Sequence, residues 1–541
     1  MKRISGNIVD VVHSEIYPGT LVISEGRIAD IIREETGNDT YIMPGFVDAH
    51  IHIESSMLTP TEFSRIATVH GTVATVSDPH EIANVLGIEG VKYMIEDAKM
   101  SSVKICFGAP SCVPATPFET AGAMLGVEEV EELLKLDEIG YLSEVMNFPG
   151  VLNGDKEIMD KIYIAAEYFK PVDGHAPGLR GCELERYINA GISTNHECLS
   201  CEEALENIEK GVKVQIRKGS AADIFEECLP ILDEYYKSCM FCSDDKHPND
   251  LLKGHINDMV KGAIDYGVDV MKVLRIASVN PVLHYRLNVG LLRKGDPADF
   301  IRVDNLADLN ILETYINGRA VARDGVSLIP GRASKIVNNF RSAPKEPASF
   351  AIPCGGSRIN IIRATDGTLF TDKLIEIPKV KNGCAVSDTD RDILKLAVVN
   401  RYKDTKPAVG FAGSFGIQTG AIASSVAHDS HNIVAVGVSD EDICRAVNLI
   451  ISNSGGIVAV SGNREEILPL PTAGIMSDKD YATVADGYIR LDKMAKAMGS
   501  KLRAPFMTLS FMALLVIPRI KMSDKGLFDV ETFGAIDLFC R

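Results

Sequence analysis

From about residue 43 to residue 285, short apolar runs alternate with longer stretches in which apolar residues return near the helical period of 3.6. The helical period predicts helices over residues 89–99, 155–169, 184–190, 202–210, 222–236 and 250–266. The apolar runs predict eight strands that end, in chain order, at residues 50, 77, 107, 144, 175, 196, 216 and 244. Eight strand–helix alternations over about 240 residues fit the roughly 250 residues of a (β/α)8 barrel.

Both flanks of this region have the pattern of β structure. Residues 1–43 contain short apolar runs separated by turns, and the dipeptide Asn317-Gly318 predicts a hairpin between two downstream strands at 313–316 and 320–321. We therefore expect one small β-sandwich domain built from both flanks, residues 1–43 and 286–340, around a barrel over residues 44–285.

The last third of the chain has a different pattern, which follows a Pro-containing stretch at residues 342–347. It mixes predicted strands with predicted helices, the strands at residues 433–438 and 456–460 and the helices at 441–451 and 482–498. We expect an additional C-terminal α/β domain over residues 345–541. The predicted fold class is thus α/β, a (β/α)8 TIM-type barrel with two further domains.

Histidines and carboxylates stand at the predicted strand ends, where a parallel barrel places its active site. The candidate metal ligands are His50, His52, Glu144, His175, His196 and Asp244. Period-two alternation points both rings of His50-Ile51-His52 the same way, so both can bind one ion. A single strand-end histidine is more often structural, but six such groups on five strands indicate a metal centre suited to Zn²⁺, Fe²⁺ or Mn²⁺. Because one open centre needs only three protein ligands, the number predicts two ions, with Glu144 as the bridge.

Three further groups allow two readings each. The segment Asp78-Pro79-His80-Glu81 is typical of a turn that begins a helix, and it also offers groups for proton transfer beside the metals. Arg217 ends the seventh strand, either as a contact to ring nitrogens of a substrate or, by default, as a solvated charge at the rim. His428 and His431, in the last domain, belong either to a loop that closes over the barrel or to a hydrogen-bonding turn.

Composition excludes several classes of protein. Hydrophobic residues make up 46% and charged residues 24% of the 541 residues, which is ordinary for a folded globular chain. Lys+Arg 56 against Asp+Glu 74 gives a net charge of −18, which argues against binding to nucleic acid. The richest apolar run, residues 506–517, is shorter than the ~20 residues that cross a bilayer. Without a signal sequence or a secreted disulfide framework, we expect a cytoplasmic protein with no membrane partner.

Segments spread over nearly the whole chain resemble adenine deaminases of the bacterial and archaeal type. The segment PGFVDAHIH at residues 44–52 is similar to the opening of the barrel in the wider amidohydrolase superfamily. The other segments are HIESSMLTP (52–60), SDPHEIANVLG (77–87), SCVPA (111–115), EVMNFPGV (144–151), DGHAPGL (173–179), NHE (195–197), IRKGSA (216–221), CSDD (242–245), SVAHDSHNIV (425–434) and LPLPTAG (468–474).

The resemblance implies hydrolytic deamination of adenine to hypoxanthine and ammonia, a purine-salvage reaction, at a binuclear centre that activates water. His50, His52 and Asp244 would hold one ion, and His175 and His196 would hold the other. Glu144 would bridge the two ions. Mn²⁺ is the first choice, with Fe²⁺ or Zn²⁺ as alternatives.

The resemblance also implies roles in catalysis. Asp244 would act as general base, and His80 and Glu81 would transfer protons. Asp78 and Arg217 are the candidate substrate-binding residues, and we expect a homo-oligomer, a dimer first. The competing readings are another amidohydrolase reaction on a cyclic amide or an N-acyl group, and a non-catalytic barrel that acts as a binding module.

Overall fold

The computed structural model describes residues 1–540. The chain begins with four strands, β1 (Lys2–Asp10), β2 (Glu15–Ser24), β3 (Arg27–Arg33) and β4 (Tyr41–Pro44). β1, β2 and β3 pair antiparallel in sequence, and β4 lies parallel to β1 on its other side. Ile4, Ile8 and Leu21 are buried in one apolar cluster, and in β1 the buried positions alternate with the half-buried Ser5 and Asn7, as the period of a half-buried strand predicts.

Eight parallel strands follow, and we call them the strand ring. They are β5 (Phe46–Ile51), β6 (Thr72–Ser77), β7 (Lys104–Ala109), β8 (Ile139–Val145), β9 (Val172–Gly174), β10 (Thr194–Asn195), β11 (Lys213–Arg217) and β12 (Cys239–Cys242). β5 to β9 form one sheet and β10 to β12 a second. Parallel bridges join the two sheets at both edges, Val172 with Ile192 and Ile51 with Asp244. The carboxyl ends of all eight strands therefore lie along one rim.

Helices separate these strands and cover the ring. They are α1 (Pro60–Ala67), α2 (His80–Leu86), α3 (Ile88–Ala98), α4 (Val127–Leu134), α5 (Phe148–Asn153), α6 (Lys156–Glu167), α7 (Gly181–Asn189), α8 (Cys201–Glu209), α9 (Phe225–Tyr235), α10 (Pro248–Leu251), α11 (Ile256–Tyr266), α12 (Val270–Leu274) and α13 (Asn280–His284). Every residue of β5, β6 and β12 is buried, which parallel strands require when helices cover their sheet.

The single helix predicted over residues 250–266 is wrong, because α10 ends at Leu251 and α11 begins only at Ile256. His255, with φ −131° and ψ −128°, lies outside helical geometry and directly precedes α11. Its buried imidazole contacts both β5 and β6, with Nε2 2.7 Å from Asp48 Oδ2 and Nδ1 2.7 Å from Thr72 Oγ1. The side chain thus draws the backbone out of helical geometry, which apolar periodicity does not reveal.

Four later strands return to the first sheet. They are β13 (Phe300–Val303), β14 (Ile311–Ile316), β15 (Arg319–Arg323) and β16 (Val326–Ser327). The order across the sheet is β16-β15-β14-β13-β4-β1-β2-β3, so hydrogen bonds run through eight strands in one sheet where the sequence predicts a sandwich. The sheet curls back on itself, because Arg27 at its far edge pairs with Pro297.

The last third of the chain is built on a nine-stranded sheet. Its strands and those of two small sheets are β17 (Ile352–Pro353), β18 (Arg358–Ala364), β19 (Thr371–Glu376), β20 (Lys379–Lys381), β21 (Cys384–Val386), β22 (Ile393–Val399), β23 (Ala408–Gly413), β24 (Ala421–Ser424), β25 (Ile433–Gly437), β26 (Gly456–Ser461), β27 (Arg464–Pro469), β28 (Ile520–Ser523), β29 (Gly526–Asp529), β30 (Gly534–Ala535) and β31 (Phe539–Cys540). The helices are α14 (Asp440–Ser452), α15 (Tyr481–Ala497) and α16 (Pro505–Ser510).

This C-terminal region packs against the strand ring. The Tyr488 hydroxyl on α15 lies 2.6 Å from His247 Nδ1, in the loop after β12. The Tyr481 amide donates to the Glu62 carboxylate on α1. No helix within residues 1–540 combines the length and the apolar composition that a bilayer crossing requires.

Candidate metal centre

The two halves of the predicted ligand set meet at the Glu144 carboxylate, which ends β8. Its Oε2 lies 2.7 Å from His175 Nδ1 and 3.0 Å from His196 Nε2, and its Oε1 lies 3.4 Å from His52 Nε2. All of these side chains are buried. Histidines from three strand ends therefore converge on the Glu144 carboxylate. Its Oε2 faces His175 and His196, and its Oε1 faces His52.

The second group of ligands comes from the ends of β5 and β12. His52 Nε2 lies 3.2 Å from His50 Nε2 and 3.1 Å from Asp244 Oδ1, and His50 Nε2 lies 3.5 Å from the same oxygen. The Asp244 amide donates to the His50 carbonyl, and the His52 amide donates to the Asp244 carbonyl. These backbone hydrogen bonds fix the register of the two strand ends, so that the three ligand atoms face one point.

The residues present fit a pair of divalent ions. The Nε2 atoms of His50 and His52 lie 3.2 Å apart and both face Asp244 Oδ1, so that three ligand atoms converge on one point, an arrangement that a cation satisfies. His175 Nε2 and His196 Nδ1 are buried without a hydrogen-bond partner. Neutral imidazole and carboxylate are the donors that Zn²⁺, Fe²⁺ and Mn²⁺ accept. These donors therefore fit divalent metal ions, and the number of ions and the bridging role of Glu144 stay predictions.

Both carboxylates are ionised, as metal ligands must be. Burial by itself would raise the pKa of Glu144, but the rings of His196 and His175 outweigh burial and hold this pKa well below its usual range. Burial likewise opposes the charge on Asp244, and Arg217 with the His50 and His52 rings lowers its pKa well below the ordinary value.

Arg217 does not lie in solvent, and the expectation of a solvated rim charge is wrong. The side chain is 4% exposed and sits between two carboxylates. Its Nη1 is 2.7 Å from Asp244 Oδ2, and its Nη2 donates to Glu197 Oε1 at 3.0 Å. The guanidinium thus holds one oxygen of Asp244 while the other faces the histidines. A substrate contact of Arg217 stays a prediction.

The loop after β6 both begins a helix and reaches the metal ligands. Asp78 Oδ1 accepts from the His80 amide at the start of α2, and Asp78 Oδ2 lies 3.1 Å from His80 Nδ1. The same His80 Nδ1 lies 3.3 Å from Glu144 Oε1, and the Asp78 carbonyl lies 3.1 Å from His52 Nδ1. His80 and Glu81 line the cavity next to the candidate ligands, and Asp78 does not. Asp78 instead contacts the His80 and His52 rings and orients them.

Glu81 is held by two histidines of the C-terminal region. Its two carboxylate oxygens contact His428 Nδ1 and His431 Nε2, one each. Burial would raise the pKa of Glu81, but His428, His431 and His80 together lower it well below its usual range. The loop that contains His428 and His431 therefore lies over the strand ring and fixes an ionised carboxylate at its mouth.

One cavity joins these groups. It is lined by His52, His80, Glu81, Glu144, Met146, His175, His196, Glu197, Arg217, Asp244, Asp245, Leu369, His428, Asp429, Phe511 and Leu514. The sequence did not predict Glu197, Asp429 or the apolar residues of this set, and it favoured Asp244 over the adjacent Asp245. Glu197 and Asp245 directly follow predicted ligands in the sequence, and this position could have identified them as site residues. The sequence around Leu369, Phe511 and Leu514 gives no such indication, because it has the pattern of ordinary core residues.

Comparison with known proteins places this site in a family. The profile of the amidohydrolase family matches residues 41–321, and that of the adenine deaminase C-terminal domain matches residues 368–534. An adenine deaminase of Sulfurovum sp. is 55% identical over 541 residues, all of both chains. One of Salinibacter ruber is 52% identical over 99% of this chain and 98% of its own, and one of Methanosarcina mazei is 48% identical over all of both. This chain belongs to the adenine deaminase family.

The two family matches divide the site between them. All six predicted ligands lie in the amidohydrolase match, which shows an α/β fold of the metal-dependent hydrolase class. Leu369, His428, Asp429, Phe511 and Leu514 lie in the adenine deaminase C-terminal match. Residues from both matched regions therefore line the same cavity.

Proposed function

We propose that this protein is a metal-dependent adenine deaminase that hydrolyses adenine to hypoxanthine and ammonia. The observation that carries the proposal is the composition of the cavity. Groups from the amidohydrolase part, including the predicted ligands, and groups from the adenine deaminase C-terminal part line the same space. No observation favours the hydrolysis of a cyclic amide or an N-acyl group, or a binding function without catalysis.

Two divalent ions would be held by His50, His52 and Asp244 on one side and by His175 and His196 on the other, with Glu144 between them. When bound, the ions supply Lewis acidity and lower the pKa of water to near neutrality, as Zn²⁺ does at about 7. We propose Mn²⁺ as the native ion, ahead of Fe²⁺ and Zn²⁺, and the proposal awaits metal analysis.

The residues of the chain then move the protons. Asp244, kept ionised by Arg217, accepts the proton of the water that adds to C6 of adenine. Asp244 returns this proton to the departing amine, His80 donates one to the purine ring, and the ionised Glu81, which lines the same cavity, accepts the second proton of the added water and restores it to His80. The bond that forms is C6–O and the bond that breaks is C6–N, so the products are hypoxanthine and ammonia. His428 and His431 position Glu81 for this transfer.

We also propose a domain organisation, a cellular location and an oligomeric state for the protein. The strand ring is the (β/α)8 barrel of residues 44–285, flanked by the small β domain of residues 1–43 and 286–340 and followed by the C-terminal domain from residue 345. We propose that the protein works in the cytoplasm, as a homodimer, in purine salvage, and that it has no nucleic acid or membrane partner.

A substrate panel tests the proposed function. We expect purified protein loaded with Mn²⁺ to release ammonia and hypoxanthine from adenine, and to leave dihydropyrimidines and N-acyl amino acids unchanged. Glu144→Gln, which keeps the shape and removes the charge of the central carboxylate, should lose activity together with metal. Turnover of a cyclic amide or an N-acyl substrate in place of adenine would contradict the proposal.

A further inference from the structure

The cavity above the candidate metal centre has two unlike walls. The barrel side is formed almost entirely by imidazoles, carboxylates and Arg217. The apolar lining residues are Met146 from the barrel side and Leu369, Phe511 and Leu514 from the C-terminal region. We call these last three residues the apolar wall. Its side chains are buried, with exposed fractions of 7%, 3% and 5%.

The apolar wall is fixed by neighbours on both sides. Phe511 stacks on the His428 ring, with ring centroids 4.6 Å apart and planes at 6°. The His428 amide donates to Ser510 Oγ, which ties the two segments together. The wall also belongs to an apolar cluster with Ala221, in the loop after β11. The same contacts therefore hold the wall against both the barrel and the loop that positions Glu81.

The two walls select one kind of ligand. The polar groups can pair with the heteroatoms at the edge of a heterocycle, while the apolar wall can only contact its carbon framework. A sugar on the ring would bury hydroxyls against Leu369, Phe511 and Leu514, where they find no hydrogen-bond partner, and each such group costs free energy. A phosphate would in addition meet the carboxylates that line the cavity.

We infer that Phe511, Leu514 and Leu369 are specificity-determining residues, which bind the flat ring of an uncharged purine base and reject the same base when it carries a sugar. The inference rests on the proposed function for the identity of the base. It goes beyond that function because it places base selection in the C-terminal region, away from the metal ligands and the proton-transfer groups.

Two matched pairs of variants test the inference. Phe511→Ala is compared with Phe506→Ala, and Leu514→Ala with Leu509→Ala, because Phe506 and Leu509 are buried in α16 but do not line the cavity. Phe511→Leu keeps much of the volume, should Phe511→Ala fold poorly. Each protein is measured for bound metal, melting temperature, kcat and KM for adenine, turnover of adenosine, and equilibrium binding of hypoxanthine.

We expect Phe511→Ala and Leu514→Ala to raise KM for adenine and Kd for hypoxanthine by about tenfold, as the loss of apolar contact in a pocket does. Bound metal should be unchanged, kcat should change less than KM, and the ratio of adenosine to adenine turnover should rise. Phe506→Ala and Leu509→Ala should lower the melting temperature but leave KM and Kd at the wild-type values.

Wild-type KM and Kd in Phe511→Ala and Leu514→Ala, with adenosine still rejected, would overturn the inference. Equal losses of binding in the control variants would also overturn it, since they would show a structural effect. A wild-type protein that binds hypoxanthine but releases no ammonia from adenine would instead contradict the proposed function, and the Kd comparison would still decide the inference.

Discussion

At the scale of single residues, the site depends on buried charges that are paired. Arg217 is shared between Asp244 and Glu197, and Glu81 between His428 and His431. Lys521 differs, because it is fully buried and within residues 1–540 forms no ion pair. Its Nζ donates to the carbonyl of Leu369, 2.8 Å away, and so fixes the backbone of a residue of the apolar wall.

Replacing Lys521 should stabilise the protein in a pH-dependent way. Burial lowers the pKa of Lys521 to about 7, from 10.5 in the unfolded chain. Between these two pH values the unfolded chain binds more protons than the folded one, so stability rises with pH, and below about pH 7 the whole penalty remains. We expect Lys521→Met to raise the melting temperature at neutral pH, with a difference from wild type that shrinks toward pH 10.5.

The matched control is Lys395→Met. Lys395 is also buried, but its Nζ is 2.5 Å from Asp440 Oδ1, so its replacement should lower the melting temperature. A Lys521→Met protein that melts below wild type at neutral pH would contradict the account.

Replacing Arg217 should cost both stability and activity. In Arg217→Met the Asp244 and Glu197 carboxylates stay buried without their partner, and breaking a buried ion pair costs about 3–5 kcal/mol. We expect urea denaturation to show a loss of this size and kcat to fall by about 100-fold, because Asp244 loses its orientation. Arg302→Met is the control, since Glu313 keeps Arg323 and the expected loss is about 1 kcal/mol or less. Equal effects in the two variants would contradict the role of Arg217.

At the scale of elements, the candidate side chains could be located from the sequence, but the contacts between distant segments could not. Strand ends could be read from the sequence because the apolar runs end at His50, Glu144 and His175, and the structure brings these groups together. The contact of Glu81 with His428 joins residues 347 positions apart, and nothing in either segment names the other. His255 shows the same limit within one helix, because a distant hydrogen bond decided where the helix begins.

The loop between β24 and β25 should act on catalysis through Glu81. In His431→Gln one of the two rings that hold the carboxylate is replaced by a neutral amide, so Glu81 is less well fixed for proton transfer. We expect kcat to fall by about 10- to 100-fold with little change in KM or bound metal. His284→Gln, which replaces a half-buried histidine on α13 away from the site, should keep wild-type kcat. Loss of metal in His431→Gln would indicate a role in binding the ions.

At the scale of the whole molecule, two distant parts of the chain build one site. The strand ring presents the predicted ligands along its rim, and the C-terminal region covers that rim with the apolar wall and the histidines that hold Glu81. The contacts of Glu81 with His428 and His431 join the two parts at this cavity, so both parts contribute to one site.

The proposed metal centre can be tested by metal analysis joined to anomalous diffraction from crystals of the Mn²⁺-loaded protein. We expect two ions per chain, one within reach of His50, His52 and Asp244 and the other within reach of His175 and His196, with Glu144 between them. A chelator should remove both ions and all adenine turnover, and Mn²⁺ should restore them. A single ion, or ions bound to other side chains in an enzyme that still turns over adenine, would contradict the proposed centre.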